Sequence, residues 1–358
     1  MVWWMLAVAH AGYGDAVDGH PSPDDRLLHL YTNAARVDPE AHESAYNAGG
    51  CSFYDHFSED EQTAKAPYLY HLGLNEVARQ HSVDMNDRGY FAHDTLDGPT
   101  WDARIRPFYE SGAISENIAV GYPTVFDAVF KGWMCSESGH RGAIMSSGLV
   151  DLGVGISGTY YTQDFGGGSG QAVPHIAMAA HQVNGEQLLI YADFYDAEGD
   201  EPSIIEVVLG PARHRLTLEW GDTSRGVYSA VLPMPPGCSP YAIEAIVGVE
   251  TARFPEDGWY GVGDCAWEDP VAMWVSDADA AEGSGTAGTG GGSTGGGTGG
   301  AGTGGTSTGG DSTFDADTGD AGGGGGGGEK GGGCSTAPTA LTGWLVLSVL
   351  GLTTRRRR

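Results

Sequence analysis

The sequence predicts an α+β chain: a layered domain of helices packed on an antiparallel sheet, followed by a β-sandwich. Three observations carry this. Apolar residues recur at helical spacing in three segments between Pro23 and Trp133. Beyond Arg141 the period changes to two, in "LVDLGVGI" and "TYYTQDFG". From about Val173 short apolar runs follow one another, separated by turn residues. Helices first and strands afterwards argue for helices stacked on a sheet rather than a βαβ fold.

The first helix opens at "SPDDRLLHLYTNAAR". Ser22 is placed to cap it, Pro23 suits its first turn, and Asp25 occupies the capping-box position. Leu27, Leu30, Tyr31 and Ala34 share a face, and Pro39 ends the helix. The second, "LNEVARQHSVDMNDR", carries Leu74, Val77, Ala78, His81 and Met85 on one stripe, with Gly89 as its stop. The third begins at Thr124, a cap with Asp127 three residues on, and presents Phe126, Val129, Phe130 and Trp133. In "LVDLGVGI", Val150, Leu152, Val154 and Ile156 point one way, and "TYYTQDFG" is the hairpin partner, with Tyr160 and Tyr161 on opposite faces. The later runs "HIAMAAHQV", "EQLLIYADFYD", "SIIEVVLG", "RLTLEWG", "GVYSAVLPM" and "YAIEAIVGV" give the strands of an immunoglobulin-like β-sandwich. Asp193, Asp196, Glu198 and Asp200 do not fit the spacing of an EF-hand calcium loop and read as a solvated hairpin turn.

Charge excludes one class of partner. Lys plus Arg number 18 against 47 Asp plus Glu, a formal net charge of −29. A surface this negative repels phosphate backbones, so nucleic acid is not an expected ligand. The five cysteines, Cys51, Cys135, Cys238, Cys265 and Cys334, contain no CxxC pair, which argues against a thiolate zinc knuckle. In an exported chain four of them allow three connectivities; the domain division favours Cys51–Cys135 and Cys238–Cys265.

Both ends point outward from the cytoplasm. Residues 1–11 hold an apolar run and Ala9-His10-Ala11, a small-x-small peptidase site, and read as a truncated signal peptide without the usual basic start; a buried N-terminal strand is the alternative. Residues 277–333 are almost entirely Gly, Ser, Thr, Ala and Asp and form a disordered linker of about 40 Å r.m.s. length. Ser335 to Thr354 is uncharged and long enough to cross a bilayer, and Arg355 to Arg358 mark a cytoplasmic side. With Cys334 among glycines, residues 334–358 resemble the MYXO-CTERM type of bacterial C-terminal sorting signal, which implies removal of the helix and attachment to the cell surface through the cysteine. A plain transmembrane anchor is the other reading.

The order "LNEVARQHSVDM", "YFAHDTLDGPTWDARI", "SENIAVG", "WMCSESGHRGAIM", "VDLGVGISGTYYTQDFG" resembles the CAP superfamily, the SCP-like extracellular domain of cysteine-rich secretory and pathogenesis-related proteins. The resemblance runs from Pro23 to Gly170. It implies an α-β-α sandwich over residues 23–171, and the strand pattern places the β-sandwich over 172–269. It also implies a cleft lined by His93, Glu116 and His140, with Asn117 and Glu137 as further cleft candidates.

Two imidazoles and a carboxylate are adequate zinc ligands, so the trio is expected to hold zinc reversibly or else to brace the sandwich as a hydrogen-bonded patch. The ligands come from separate segments with no HExxH helix, which argues for modest affinity. Catalysis is less well supplied. Ser136 and Ser138 lie near His140 without a G-x-S-x-G elbow, and Cys135 is better accounted for by a disulfide. His81, Trp101 and Trp133 read as core residues. The function expected is therefore a surface-anchored, non-enzymatic binding module for a small apolar, lipid-like ligand or a divalent metal. An extracellular metal-dependent or serine-type hydrolase, and an adhesin engaging a macromolecule, are the alternatives.

Overall fold

The computed structural model describes residues 12–110, 112–137, 139–168, 170–263, 265 and the two-residue strand Cys334–Ser335. The expected signal peptide at 1–11, Ser138, the expected linker at 277–333 and the rest of the expected sorting tail lie outside the described residues.

In chain order the first half comprises α1 (Pro23–Val37), α2 (Glu43–Gly49), α3 (Phe53–His56), β1 (Leu69–Tyr70), α4 (Leu72–Arg88), α5 (Trp101–Ile105), β2 (Ile114–Val120), a π-helical turn (Asp127–Gly132), α6 (His140–Met145), β3 (Asp151–Ser157) and β4 (Tyr160–Gly166). The sheet order is β1-β3-β4-β2, with Cys334–Ser335, here β14, beside β2. β1 runs parallel to β3, and β3–β4 and β4–β2 are antiparallel. Ser22 caps α1 with the reciprocal capping box to Asp25, as its sequence dictates. Gly89 closes α4 in the left-handed conformation that glycine adopts without strain.

Nearly every residue of α1 is buried, not one stripe, because a second sheet covers its other side. The third helix is a π-helical turn: Thr124 caps it as expected, its hydroxyl accepting from Asp127 N at 3.0 Å, but the ladder then widens. β3 is buried on both faces. Gly153 and Gly155 form its second face, and a Cβ at either would overlap the backbone of α4.

The second half is β-rich: β5 (Ala179–Asn184), β6 (Gln187–Tyr195), β7 (Ile204–Leu209), β8 (Ala212–Arg215), β9 (Thr217–Asp222), β10 (Arg225–Pro233), β11 (Ser239–Val247), β12 (Glu250–Phe254) and β13 (Tyr260–Val262). Two sheets result, β5-β6-β10-β9 and β12-β11-β7-β8, with β13 on β11. Every run anticipated from the sequence holds a strand; β8, β12 and β13 are additional short ones. Both expected disulfides, Cys51–Cys135 and Cys238–Cys265, are formed.

The change of architecture near residue 171 is not a break in the core. One apolar cluster includes Leu30 and Tyr31 of α1, Phe130 and Trp133 of the π-helical region, and Ile190, Val207 and Tyr241 of the β-rich half. Asp193 belongs to this junction. The sequence reading places it in a solvated turn, whereas it is fully buried in β6, its carboxylate accepting from Ala177 N (2.8 Å), Met178 N (2.7 Å) and Asn33 Nδ2 (2.6 Å). Asp196 does occupy the turn, accepting from Glu198 N and Asp200 N. Tyr13 adds a strap: its hydroxyl donates to Ala177 O and accepts from Tyr70 N, both at 2.9 Å.

Candidate functional site

Three chain-distant segments meet at Glu116. The residue lies on β2, whose pairing with β4 sets Glu116 directly across from Asp164. His93 sits in the loop after α4, and Arg104 on the short helix α5 that follows this loop. His93 Nδ1 contacts Glu116 Oε1 at 2.9 Å, and Arg104 Nη2 donates to Glu116 Oε2. Arg104 Nη1 also donates to His93 O (2.8 Å) and Thr95 Oγ1 (3.0 Å), so one guanidinium fixes both the carboxylate and the loop that carries the histidine. The Glu116 side chain is 1% exposed and Arg104 10%, while His93 is 41% exposed and forms the solvent edge of the group.

His140 lies on α6, near enough to His93 to feel its charge, and its own hydrogen bonds go elsewhere. It is buried, its Nδ1 lies 2.9 Å from Ser136 Oγ, and its carbonyl accepts from Asn117 Nδ2 at 3.1 Å. Asn117 also donates to Gln163 Oε1 at 3.0 Å, so it braces β2, β4 and α6 from within the sheet. Glu137 is exposed in the turn before α6 and takes no part in the hydrogen-bonded group.

Burial and charge divide the titratable groups. Burial pushes Glu116 upward, but the His93 hydrogen bond and the Arg104 charge outweigh it and hold the carboxyl below its ordinary range. Asp164 goes the other way: burial and the facing Glu116 charge hold it well above the usual carboxylate range. Both Asp164 oxygens are buried without a donor. A protonated Asp164 directed at Glu116 satisfies that geometry, since one carboxyl proton then serves both side chains. Burial, then the nearby His93, depresses His140 to about 4, and burial also lowers His81, whose Nε2 lies 3.0 Å from Ala92 O. Around Glu116 the imidazoles of His81 and His140 are therefore neutral at pH 7, and Arg104 is the cation bonded to the carboxylate.

Zinc does not fit this arrangement as it stands. Both Glu116 oxygens are engaged, and each of His93 and His140 has Nδ1 committed, leaving two Nε2 atoms. Among the described residues no group of three or more His, Cys, Asp or Glu side chains is placed to hold a metal ion. Sequence reasoning missed Arg104 and Asp164. The signal for Arg104 was a lone basic residue in "TWDARI" shortly after His93; Asp164 is recognisable only once the β2–β4 register is known.

Helices lie on both faces of a small, mostly antiparallel sheet, an α-β-α arrangement, and a histidine–glutamate pair joins a loop to one strand. Residues 31–167 match the model of the cysteine-rich secretory protein family, CAP. Among curated proteins, the chain is 40% identical over 94 residues to the uncharacterized membrane protein YlbC of Bacillus subtilis, covering 25% of this chain and 26% of that protein. It is 38% identical over 114 residues to the uncharacterized protein YkwD of the same organism, covering 30% and 42%. Of solved structures, an extracellular protein containing an SCP domain from Bacillus anthracis is 34% identical, with 28% of this chain and 33% of that chain covered at a TM-score of 0.26. The chain thus spans well under half the length of the curated relatives it matches.

Proposed function

We propose that this chain is an exported binding module that uses the edge of the His93–Glu116–His140 group to recognise a small apolar ligand of lipid type. The observation that carries the reading is mutual engagement. His93, Glu116 and Arg104 hold one another, Ser136 holds His140, and the partly exposed His93 ring is the group offered to solvent. Such a fixed, mostly neutral constellation suits recognition, where pre-organised polar groups orient a ligand against apolar walls. The two disulfides accord with export. The tail beginning at Cys334 would then attach the protein to the cell surface, and the β-rich half, immunoglobulin-like in strand content, would serve as a contact surface.

The test is fluorescence titration of the full chain with cis-parinaric acid as the lipid-like probe, for the wild type and for the His93→Ala/His140→Ala pair. Saturable binding lost in a folded double variant is the expected result. Unchanged binding, or none in either protein, would favour the adhesin reading.

One observation favours the hydrolase as a second reading: the 2.9 Å contact between Ser136 Oγ and His140 Nδ1. Against it, Ser136 is buried and an imidazole held near 4 is a weak general base at neutral pH. Covalent labelling by a fluorophosphonate, abolished by Ser136→Ala, would establish it.

A further inference from the structure

We infer that Arg104 is the resident cation of this cleft and the residue that keeps divalent metal out of it. The guanidinium is fixed on Glu116, on the backbone carbonyl of His93 and on Thr95, and its Nε is buried without a partner. It is thus built into the loop that carries one imidazole and bonded to the one carboxylate that would supply a metal with negative charge. With Glu116 neutralised, the donor atoms remaining are the two Nε2 atoms of His93 and His140. Two uncharged nitrogens beside a fixed positive charge make a poor site for a divalent ion, which needs three or four donors and gains most from an anionic one.

Removing the guanidinium reverses each of these terms. Glu116 gains a free oxygen that no fixed cation offsets, and Asp164, directly across the strand pair, presents further oxygens beside it. A role for Arg104 as a plain loop clamp predicts no change in metal affinity when it is replaced, so the two can be told apart. The inference concerns metal exclusion and goes beyond the binding reading; lipid titrations and zinc titrations can fail independently.

The experiment is calorimetric titration of zinc into the full chain and into its Arg104→Gln, Arg104→Lys and Arg104→Gln/His93→Ala variants, each checked for folding by circular dichroism. The wild type and Arg104→Lys should give no saturable binding in the micromolar range. Arg104→Gln should bind one zinc saturably in the micromolar range, where the wild type does not. That gain should vanish in the double variant. Should Arg104→Gln not fold, Arg104→Met, which retains the bulk of the stem, carries the same comparison. Micromolar zinc binding by the wild type that His93→Ala abolishes overturns the inference, as does a folded Arg104→Gln with the wild-type isotherm.

Discussion

Glu116 and Asp193 are two buried carboxylates with different duties. Glu116 joins a loop, a helix and a strand through His93 and Arg104. Replacing it with Ala leaves the Arg104 guanidinium buried without its counter-charge, a loss of about 3–5 kcal/mol for a broken buried pair. Glu116→Ala combined with Arg104→Met should recover part of that loss, because the stranded charge goes too; urea midpoints of the single and double variants measure the coupling. Asp193 accepts three hydrogen bonds, two from backbone N–H groups and one from Asn33. Asp193→Asn would turn an amide donor toward a donor and should cost about 1–3 kcal/mol by the same measurement. An unchanged midpoint would mean that Asn33 turns its amide to suit. The contact of His93 with Glu116 was legible because each residue stands in a recognisable motif. Arg104 and Asp164 were not legible, because their roles depend on loop closure and strand register. Asp193 was misread because Asp196 and its acidic neighbours give the segment the composition of a turn, whereas burial is decided by what packs over the strand.

Among the elements, β3 shows how tightly helix and sheet approach. Its glycines lie where a Cβ would overlap Asn75 at Gly153 and Arg79 at Gly155, both backbone atoms of α4. Gly155→Ala must therefore push α4 off the sheet. Overpacking of this kind costs about 1–3 kcal/mol and more where backbone cannot shift, so the thermal midpoint should fall. Ser157→Ala, near the end of the same strand, should be close to neutral, and equal midpoints for the two variants would sink the close-approach account. The alternation of Val150, Leu152, Val154 and Ile156 was visible because period-two patterning reports directly on strand faces. The caps Ser22, Thr124 and Gly89 were visible for a similar reason, since capping is a local interaction of side chain with adjacent backbone. The π-helical turn was not, because a widened ladder depends on how Phe130 and Trp133 settle into the core rather than on local preference. The burial of α1 on every side was hidden for the same reason: its amphipathic pattern shows one apolar face, while Arg26 meets Tyr241 on β11 and Asn33 meets Asp193 on β6.

At the scale of the whole molecule, both halves contribute to one apolar core, and the buried titratable groups give a predictable response to acid. Burial depresses His29, His42 and His140 to about 4, and burial followed by the Arg26 charge takes His181 to about 3. Histidine in an unfolded chain titrates near 6.5, so between those values the unfolded chain takes up protons that the folded chain does not, and stability falls as pH drops from about 6.5 to 4. Asp193, raised by burial to about 7, and Asp164, raised well above its ordinary value, oppose this, because the folded chain keeps protons that the unfolded chain releases. The depressed histidines outnumber the two raised carboxyls, so unfolding near pH 5 takes up protons on balance and stability falls with acid. Thermal midpoints should fall steadily over that range, and a flat profile would show that some of these histidines are solvated. The same unity governs truncation. Tyr31 packs its ring against Phe126 and Phe130 from the first half and against Tyr191 and Trp220 from the second. Arg26 lies 3.6 Å from the Tyr260 ring centroid, and Asn33 bonds Asp193. Cutting the chain after residue 171 exposes that side of α1. Each large apolar side chain returned to water costs about 1.5–3 kcal/mol, and a few of them equal the 5–15 kcal/mol that holds an average domain together. A fragment of residues 12–171 should therefore lack a cooperative transition, whereas residues 12–265 should melt in a single step. A sharp transition in the shorter fragment, with native near-ultraviolet dichroism, would show instead that the first half folds alone and that the β-rich half is only docked against it.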